Sequence, residues 1–209
     1  MRTLAIECAT EACSVALFEG AGAGARLLDH RHELIGRGHA ERLVPMIAEL
    51  PDRGEARRIL VSLGPGSFTG TRIGLATARA LAIAWDSRVL GFPTLALVAA
   101  TARAVQNANG SPLLVAMSGG HGEFLVQAFD AQGLALADHA SLAPDSAARV
   151  SDTKLVVGSR ADELVALRGS GEALNLLPDA RYACALPARL LTDRLAPIYG
   201  RPPDAKLPA

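Results

Sequence analysis

Two short apolar stretches open the chain, Leu4-Ala5-Ile6-Glu7-Cys8 and Cys13-Ser14-Val15-Ala16-Leu17-Phe18, separated by Ala9-Thr10-Glu11-Ala12. This pattern predicts a β-hairpin with a short connection. A third strand over Arg26 to Glu33, after glycines at 20, 22 and 24, extends it to an antiparallel meander. From His39 the period becomes helical: Ala40, Leu43, Met46, Ile47 and Leu50 share one face, and Glu41, Arg42 and Glu49 fall elsewhere. Pro45 lies inside this helix and removes a backbone hydrogen bond, so a kink or an early helix start is expected there. Arg57 to Leu63 reads as a buried strand centred on Ile59-Leu60-Val61. Gly64 to Gly70 is a turn into a second helix, from Ser67 or Thr69 to Trp85, with Ser or Thr as its N-cap. Val89-Leu90 gives a short strand, and Thr94 to Ala108 a third helix.

A meander continued by alternating helices and strands describes an α/β fold with a mixed sheet covered by helices. It is also the element order of a ribonuclease H-like lobe, as in the actin, sugar kinase and Hsp70 superfamily. Asn107-Ala108-Asn109-Gly110-Ser111-Pro112 is the best linker, dividing the chain into a lobe at 1–108 and a shortened lobe at 109–209. In the second lobe, Leu113 to Met117 and Glu123 to Asp130 form a strand pair around Ser118-Gly119-Gly120-His121-Gly122. A further strand is expected at Lys154 to Gly158, and helices at 160–168 and 187–195.

Composition narrows the function. Half of the 209 residues are apolar and the formal net charge is zero, which argues against strong unaided binding of nucleic acid, where phosphate contacts supply most of the affinity. Only Lys154 and Lys206 are lysines, a bias read as genomic. No apolar run reaches the roughly 18 residues that cross a bilayer, and Met1-Arg2-Thr3 leads directly into a short strand without a signal-peptide pattern, so a cytoplasmic protein is expected. Cys8, Cys13 and Cys184 match no zinc spacing and are expected to be buried free thiols.

Gly64-Pro-Gly-Ser-Phe-Thr-Gly-Thr-Arg-Ile-Gly74 invites comparison with a phosphate loop, because a glycine-rich turn before a helix can present backbone N–H groups to an anion. It lacks the lysine of a Walker loop and the spacing of a dinucleotide fingerprint. A tight strand-to-helix turn and an anion site both remain open. On the helix behind the loop, Gly70, Gly74, Thr77 and Leu81 share a stripe flanked by Ile73 and Ala78, with Arg72 and Arg79 pointing away. Small residues four apart permit close helix packing. Either the two helix stripes cover the protein's own sheet or they present a joint surface to a partner. His30, His32, His39 and His121 have no metal-ligand spacing, and Gly-x-Ser-x-Gly does not occur. Ile6-Glu7-Cys8-Ala9-Thr10 stands where an actin-like ATPase keeps its first phosphate loop, with Glu7 as the acid and the usual glycine missing. No catalytic, cofactor or metal residues are assigned to this chain alone.

The opening Leu4 to Leu17, the His39-Ala40-Glu41-Arg42-Leu43-Val44-Pro45-Met46-Ile47 helix and the Gly64 to Gly74 loop resemble the TsaB (YeaZ) family in identity and order. The resemblance is strong over about residues 3–108. It is weaker beyond, resting on Gly122-Glu123, Val157-Gly158 and Ala196-Pro197-Ile198-Tyr199-Gly200-Arg201. Ser118-Gly119-Gly120 replaces the Asp-Ala-Arg common in the family, and Glu7 its usual Asp. The resemblance implies an actin-like fold and a non-catalytic scaffold that activates a metal-bearing TsaD-like catalytic subunit, with a TsaE-like ATPase joining. The complex would add a threonylcarbamoyl group to the adenosine 3′ of the anticodon in tRNAs reading codons that start with A. ATP and metal would then sit on partner subunits, tRNA would be met only through the complex, and the isolated chain would form a homodimer. By resemblance, the stripes Ala40, Leu43, Met46, Ile47, Leu50 and Gly70, Ile73, Gly74, Thr77, Ala78, Leu81 contribute to a four-helix partner interface. An actin-fold ATPase or small-molecule kinase, and a metalloprotease, are the alternatives. The first needs a second phosphate loop and a full nucleotide cleft, the second metal ligands.

Overall fold

A computed structural model describes residues 1–106 and 110–200. Asn107, Ala108 and Asn109 of the expected linker, the expected end of the third helix at Ala108, and Arg201 lie outside the described residues. The first sheet contains β1 (Arg2–Glu7), β2 (Ala12–Glu19), β3 (Arg26–Leu34), β4 (Arg58–Ser62) and β5 (Arg88–Phe92) in the order β3-β2-β1-β4-β5. The hairpin strands pair antiparallel, and β1, β4 and β5 run parallel. Between them lie α1 (His39–Ala48) and α2 (Phe68–Trp85), and α3 (Thr94–Gln106) follows. The second sheet holds β6 (Leu113–Ser118), β7 (Phe124–Phe129), β8 (Ala140–Leu142), β9 (Leu155–Val157) and β10 (Glu172–Leu174), ordered β10-β9-β6-β7-β8. The helices α4 (Pro144–Ala147) and α5 (Ala161–Arg168) accompany it.

The two-residue period of the strands sorts side chains into layers. Leu4, Ile6 and Cys8 of β1, with Ile59 and Val61 of β4, face a core shared with Leu43, Met46 and Ile47 of α1 and Leu75 and Ala78 of α2. Ala5, Ala16 and Leu60 face the opposite way, onto α3, whose Ala96, Ala99 and Ala102 permit a close approach. That central core continues into Leu113, Val115 and Met117 of β6, so α3 is clasped between the sheets. Leu114, Ala116 and Val156 form a third core with Ala161 and Leu164 of α5.

Three details depart from the sequence reading. The first helix passes through Pro45 without interruption, and Pro45 lies on its exposed side. No α-helix forms over 187–195; Ala188–Leu190 makes one 3-10 turn, and the chain then returns to the first lobe as an extended strap. Thr192 exchanges backbone hydrogen bonds with Gly91, Arg79 donates to the Leu195 carbonyl, and Ile198 donates to Leu63. Backbone groups satisfied by a neighbouring strand do not need a helix. The short elements β8, α4 and β10 were not legible, since each is only three or four residues long. The three cysteines are free and buried, as expected, with Cys8 Sγ and Cys13 Sγ 3.6 Å apart. No described helix is long and apolar enough to cross a membrane.

Candidate functional site

Two features offer themselves for function, the outer face of the α1–α2 layer and the cleft between the lobes. The strand-to-helix turn that builds both is held by glycine. Ser67 caps α2 by accepting the Gly70 N–H, and the Ser67 N–H donates to the Ala9 carbonyl at 2.6 Å. A Cβ on Gly66 would stand 2.1 Å from the Ala9 oxygen, and one on Gly70 1.9 Å from the Cys8 oxygen. Only glycine lets the loop and the helix start lie this close to the first hairpin.

The stripe expected to meet a partner is turned inward. Leu43, Met46, Ile47, Leu50, Gly70, Gly74 and Ala78 are buried in this chain. A Cβ on Gly74 would meet Cys8, Ile6 and Val61 at 3.5–3.7 Å, so the small residues serve to seat α2 on its own sheet. Ile73, Thr77 and Leu81 are half-buried at the flank, and Ala40 alone of the expected interface is fully exposed. The outward faces carry Ala40 with residues outside the expected set, at the same four-residue spacing: Ala40, Val44 and Ala48 on α1, and Ala76, Ala80 and Ala84 on α2. Val44 is 54% and Ile83 86% exposed beside them. Apart from Ala40 these positions were missed, because alanine is abundant on both faces and its periodicity names neither. On α1, Arg42 is held by Glu33 and Glu49 at the side of this surface.

The interlobe cleft encloses about 800 Å³. One wall is formed by Ala9 to Glu11, Pro65 to Phe68 and Arg72; Thr94 and Met117 to His121 line it from α3 and the second sheet, and Tyr199 comes from the strap. The Arg72 guanidinium lies 3.4 Å from the Phe68 ring centroid and donates to the Tyr199 hydroxyl at 2.8 Å. Phe68 and Tyr199 stack with centroids 5.4 Å apart. Below Ala9, Glu7 is fully buried: one carboxylate oxygen accepts the Ala9 N–H, and Oε2 has no hydrogen-bond partner among the described residues. Burial pushes this carboxyl up to about 7, against the opposing pull of the Ala9 N–H and the weaker one of the Ser62 side chain.

The donor set of a metal site and the cluster of cations that a triphosphate needs are both missing among the described residues. Among the described residues no three His, Cys, Asp or Glu side chains converge as a metal site. His30 and His32 lie on β3, where His32 Nδ1 is 3.6 Å from Asp179, and His39 reaches the Ala12 carbonyl at 3.2 Å. His121 lines the cleft without another imidazole or a thiol beside it in the lining. Among the described residues the cleft lining holds one arginine and one carboxylate, so these charges roughly cancel where a triphosphate would need several cations.

Comparison with known proteins agrees with this architecture. A family model described as TsaD, tRNA N6-adenosine threonylcarbamoyltransferase, matches residues 32–185. The chain is 38% identical over 104 residues to the tRNA threonylcarbamoyladenosine biosynthesis protein TsaB of Escherichia coli, a match covering 47% of this chain and 43% of that protein. It is 30% identical over 182 residues to a tRNA N6-adenosine threonylcarbamoyltransferase of Burkholderia thailandensis, covering 72% of this chain and 50% of the relative. The chain thus spans half or less of the length of these relatives. The solved structure of YeaZ from Pseudomonas aeruginosa matches with a TM-score of 0.76 at 27% identity, over 95% of this chain and 99% of that one. A shared two-sheet fold, the Gly64 to Gly74 loop and a family match over most of the chain place it in the TsaD family, within its TsaB (YeaZ) branch.

Proposed function

We propose that this chain is a non-catalytic scaffold and activating subunit in the synthesis of threonylcarbamoyladenosine in tRNA. The observation that carries the reading is the paired outward stripe, Ala40-Val44-Ala48 on α1 and Ala76-Ala80-Ala84 on α2, in a chain of this family. Small side chains at that spacing let a partner helix approach to the close end of the roughly 8–10 Å packing range. Two such helices side by side can accept two from a partner, making a four-helix contact. The partner is a TsaD-like catalytic subunit, and the isolated chain pairs with itself through the same surface. A TsaE-like ATPase joins the complex, ATP and metal are held by the partner subunits, and tRNA is met through the complex. The modified position is the adenosine 3′ of the anticodon in tRNAs reading codons that start with A, and the work is cytoplasmic. A neutral net charge and a cleft with balanced charges support the accessory role.

The test is a double variant, Val44→Asp with Ala80→Asp, in the full chain. Both positions are exposed, so circular dichroism and the melting temperature should stay close to those of the parent. Burying two uncompensated charges should weaken pairing by well over tenfold, read by light scattering for the homodimer and by pull-down of a TsaD-like subunit. Normal pairing by the folded variant would overturn the surface assignment. An unchanged level of threonylcarbamoyladenosine after depletion of the protein would overturn the function.

A further inference from the structure

We infer that the interlobe cleft is a binding site for a small ligand with a single anionic group, a carboxylate or one phosphate, attached to an apolar or planar body. Two helix N-termini open into this cleft, that of α2 at Phe68 and that of α3 at Thr94. With 18 and 13 residues these helices are long enough for a developed dipole, positive at the end that faces the cleft. At α2 the capping Ser67 takes the Gly70 N–H with its side chain and the Thr71 N–H with its carbonyl. The Phe68 and Thr69 N–H groups have no acceptor among the described residues.

The second observation is independent of the helix ends. Thr94 lines the cleft, is fully buried, and its hydroxyl has no hydrogen-bond partner among the described residues. Buried polar groups in folded proteins are almost always satisfied, so a lone hydroxyl in a cleft wall is explained by something that enters the cleft. Arg72 supplies the formal positive charge, already oriented by Phe68 and Tyr199.

The same lining limits the ligand. Among the described residues Arg72 is its one arginine or lysine, Glu11 its one carboxylate, and His121 the remaining titratable group apart from Tyr199. A single anionic group finds two helix ends and a guanidinium; a second anionic group would meet Glu11 and, among the described residues, no new cation. Phe68, Tyr199, Met117, Leu125 and Pro65 give the rest of the wall an apolar character suited to an organic body. At about 800 Å³ the cleft lies within the range of small-molecule sites. This site is separate from the α1–α2 surface, so it stands or falls apart from the pairing proposal.

The experiment is a titration of the full ¹⁵N-labelled chain at constant ionic strength, followed by amide chemical shifts. The probes are benzoate, phenyl phosphate, acetate, inorganic phosphate and magnesium ATP. Benzoate or phenyl phosphate should move the Gly66, Phe68 and Thr69 amides saturably, and whichever binds more tightly identifies the anion as carboxylate or phosphate. Acetate and inorganic phosphate, lacking the body, should bind more weakly, and ATP should bind more weakly than phenyl phosphate. Thr94→Val keeps the shape of the side chain and removes the hydroxyl; with Arg72→Gln as the second variant, each should weaken the better probe by about tenfold. Three results would overturn the inference: no saturable shift at those amides with benzoate or phenyl phosphate at millimolar concentration, ATP binding more tightly than phenyl phosphate, or undiminished binding in both folded variants.

Discussion

The two lobes follow the same chain order, three strands, helix, strand, helix, strand, and their sheets read β3-β2-β1-β4-β5 and β8-β7-β6-β9-β10. In the first, β2 and β3 have eight and nine residues and α2 has 18. In the second, β8, β9 and β10 have three residues each and α5 has eight. The place of α3 is taken by a 3-10 turn, Ala180–Ala185, packed into the same central core. Helix dipoles and helix surfaces grow with length. Shortening has therefore left the first lobe with the outward helix face and the two N-termini, and the second with the task of closing the cleft.

The largest effect is expected where both lobes turn from strand to helix. Gly70→Ala puts a Cβ 1.9 Å from the Cys8 carbonyl oxygen, a backbone atom that cannot step aside without moving the hairpin. The strand-to-helix turn of the second lobe holds Gly158, at φ 121° with a Cβ position 2.3 Å from the Ala116 oxygen. Each substitution should cost about 3 kcal/mol or more, through overpacking and, at Gly158, left-handed strain. Urea unfolding of each variant is the measurement. If Gly158→Ala is tolerated and Gly70→Ala is not, the two lobes do not share this turn as a common seat.

The strand ends that precede the cleft loops differ in charge. β1 ends on the buried Glu7 and β6 on the exposed Ser118. Because burial raises the Glu7 carboxyl from 4.5 to about 7, the folded chain holds this proton more tightly than the unfolded one. Stability is then highest below pH 4.5 as far as Glu7 is concerned, falls as pH rises towards 7, and levels off above. The size of that loss is about 3 kcal/mol for a shift of this extent. Urea unfolding at pH 5 and pH 8 should show a smaller decline in Glu7→Gln than in the parent, whereas Ser118→Ala should leave the decline unchanged. Equal declines in all three proteins would remove Glu7 as the titrating group.

The sequence made the first lobe far more legible than the second, for the same reason of length. Strands such as Ala12–Glu19 and an 18-residue helix express a period several times over, and Ser67 and the surrounding glycines mark where α2 begins. A three-residue strand such as Ala140–Leu142 expresses none, and β-pairing with β7 rather than local pattern makes it a strand. The helix expected at 187–195 failed because its backbone found partners at Gly91 of β5 and at the Arg79 guanidinium of α2. At the α1–α2 layer the period was right and the direction wrong: Gly70 and Gly74 marked a close helix approach, but the element approached was β1 of the same chain. Thr94 gave no signal at all, since a threonine beginning a helix looks the same whether or not its hydroxyl is satisfied.

Gly74 yields the finest test of how the lobes differ. In the first turn of α5 the side chain that meets the second sheet is Leu164, fully buried; nearly two turns into α2 the residue on the sheet side is Gly74, which presents no side chain to its strands. Gly74→Leu would place a side chain like that of Leu164 on the sheet side of α2. With Cys8, Ile6 and Val61 already at contact distance from a Cβ, the three further carbons have no room, and the monomer should lose about 1–3 kcal/mol. Gly74→Ala is different in sign. Its Cβ falls at 3.5–3.7 Å from those neighbours, ordinary van der Waals contact, and the helix gains from replacing its least favoured non-proline residue. A stabilisation of a few tenths to about 1 kcal/mol is expected, through both the folded helix and the reduced entropy of the unfolded chain. Paired urea melts of the two variants decide it. If Leu is tolerated as well as Ala, α2 is free to lift from its sheet, and the glycine stripe is not what holds the first lobe's helix close.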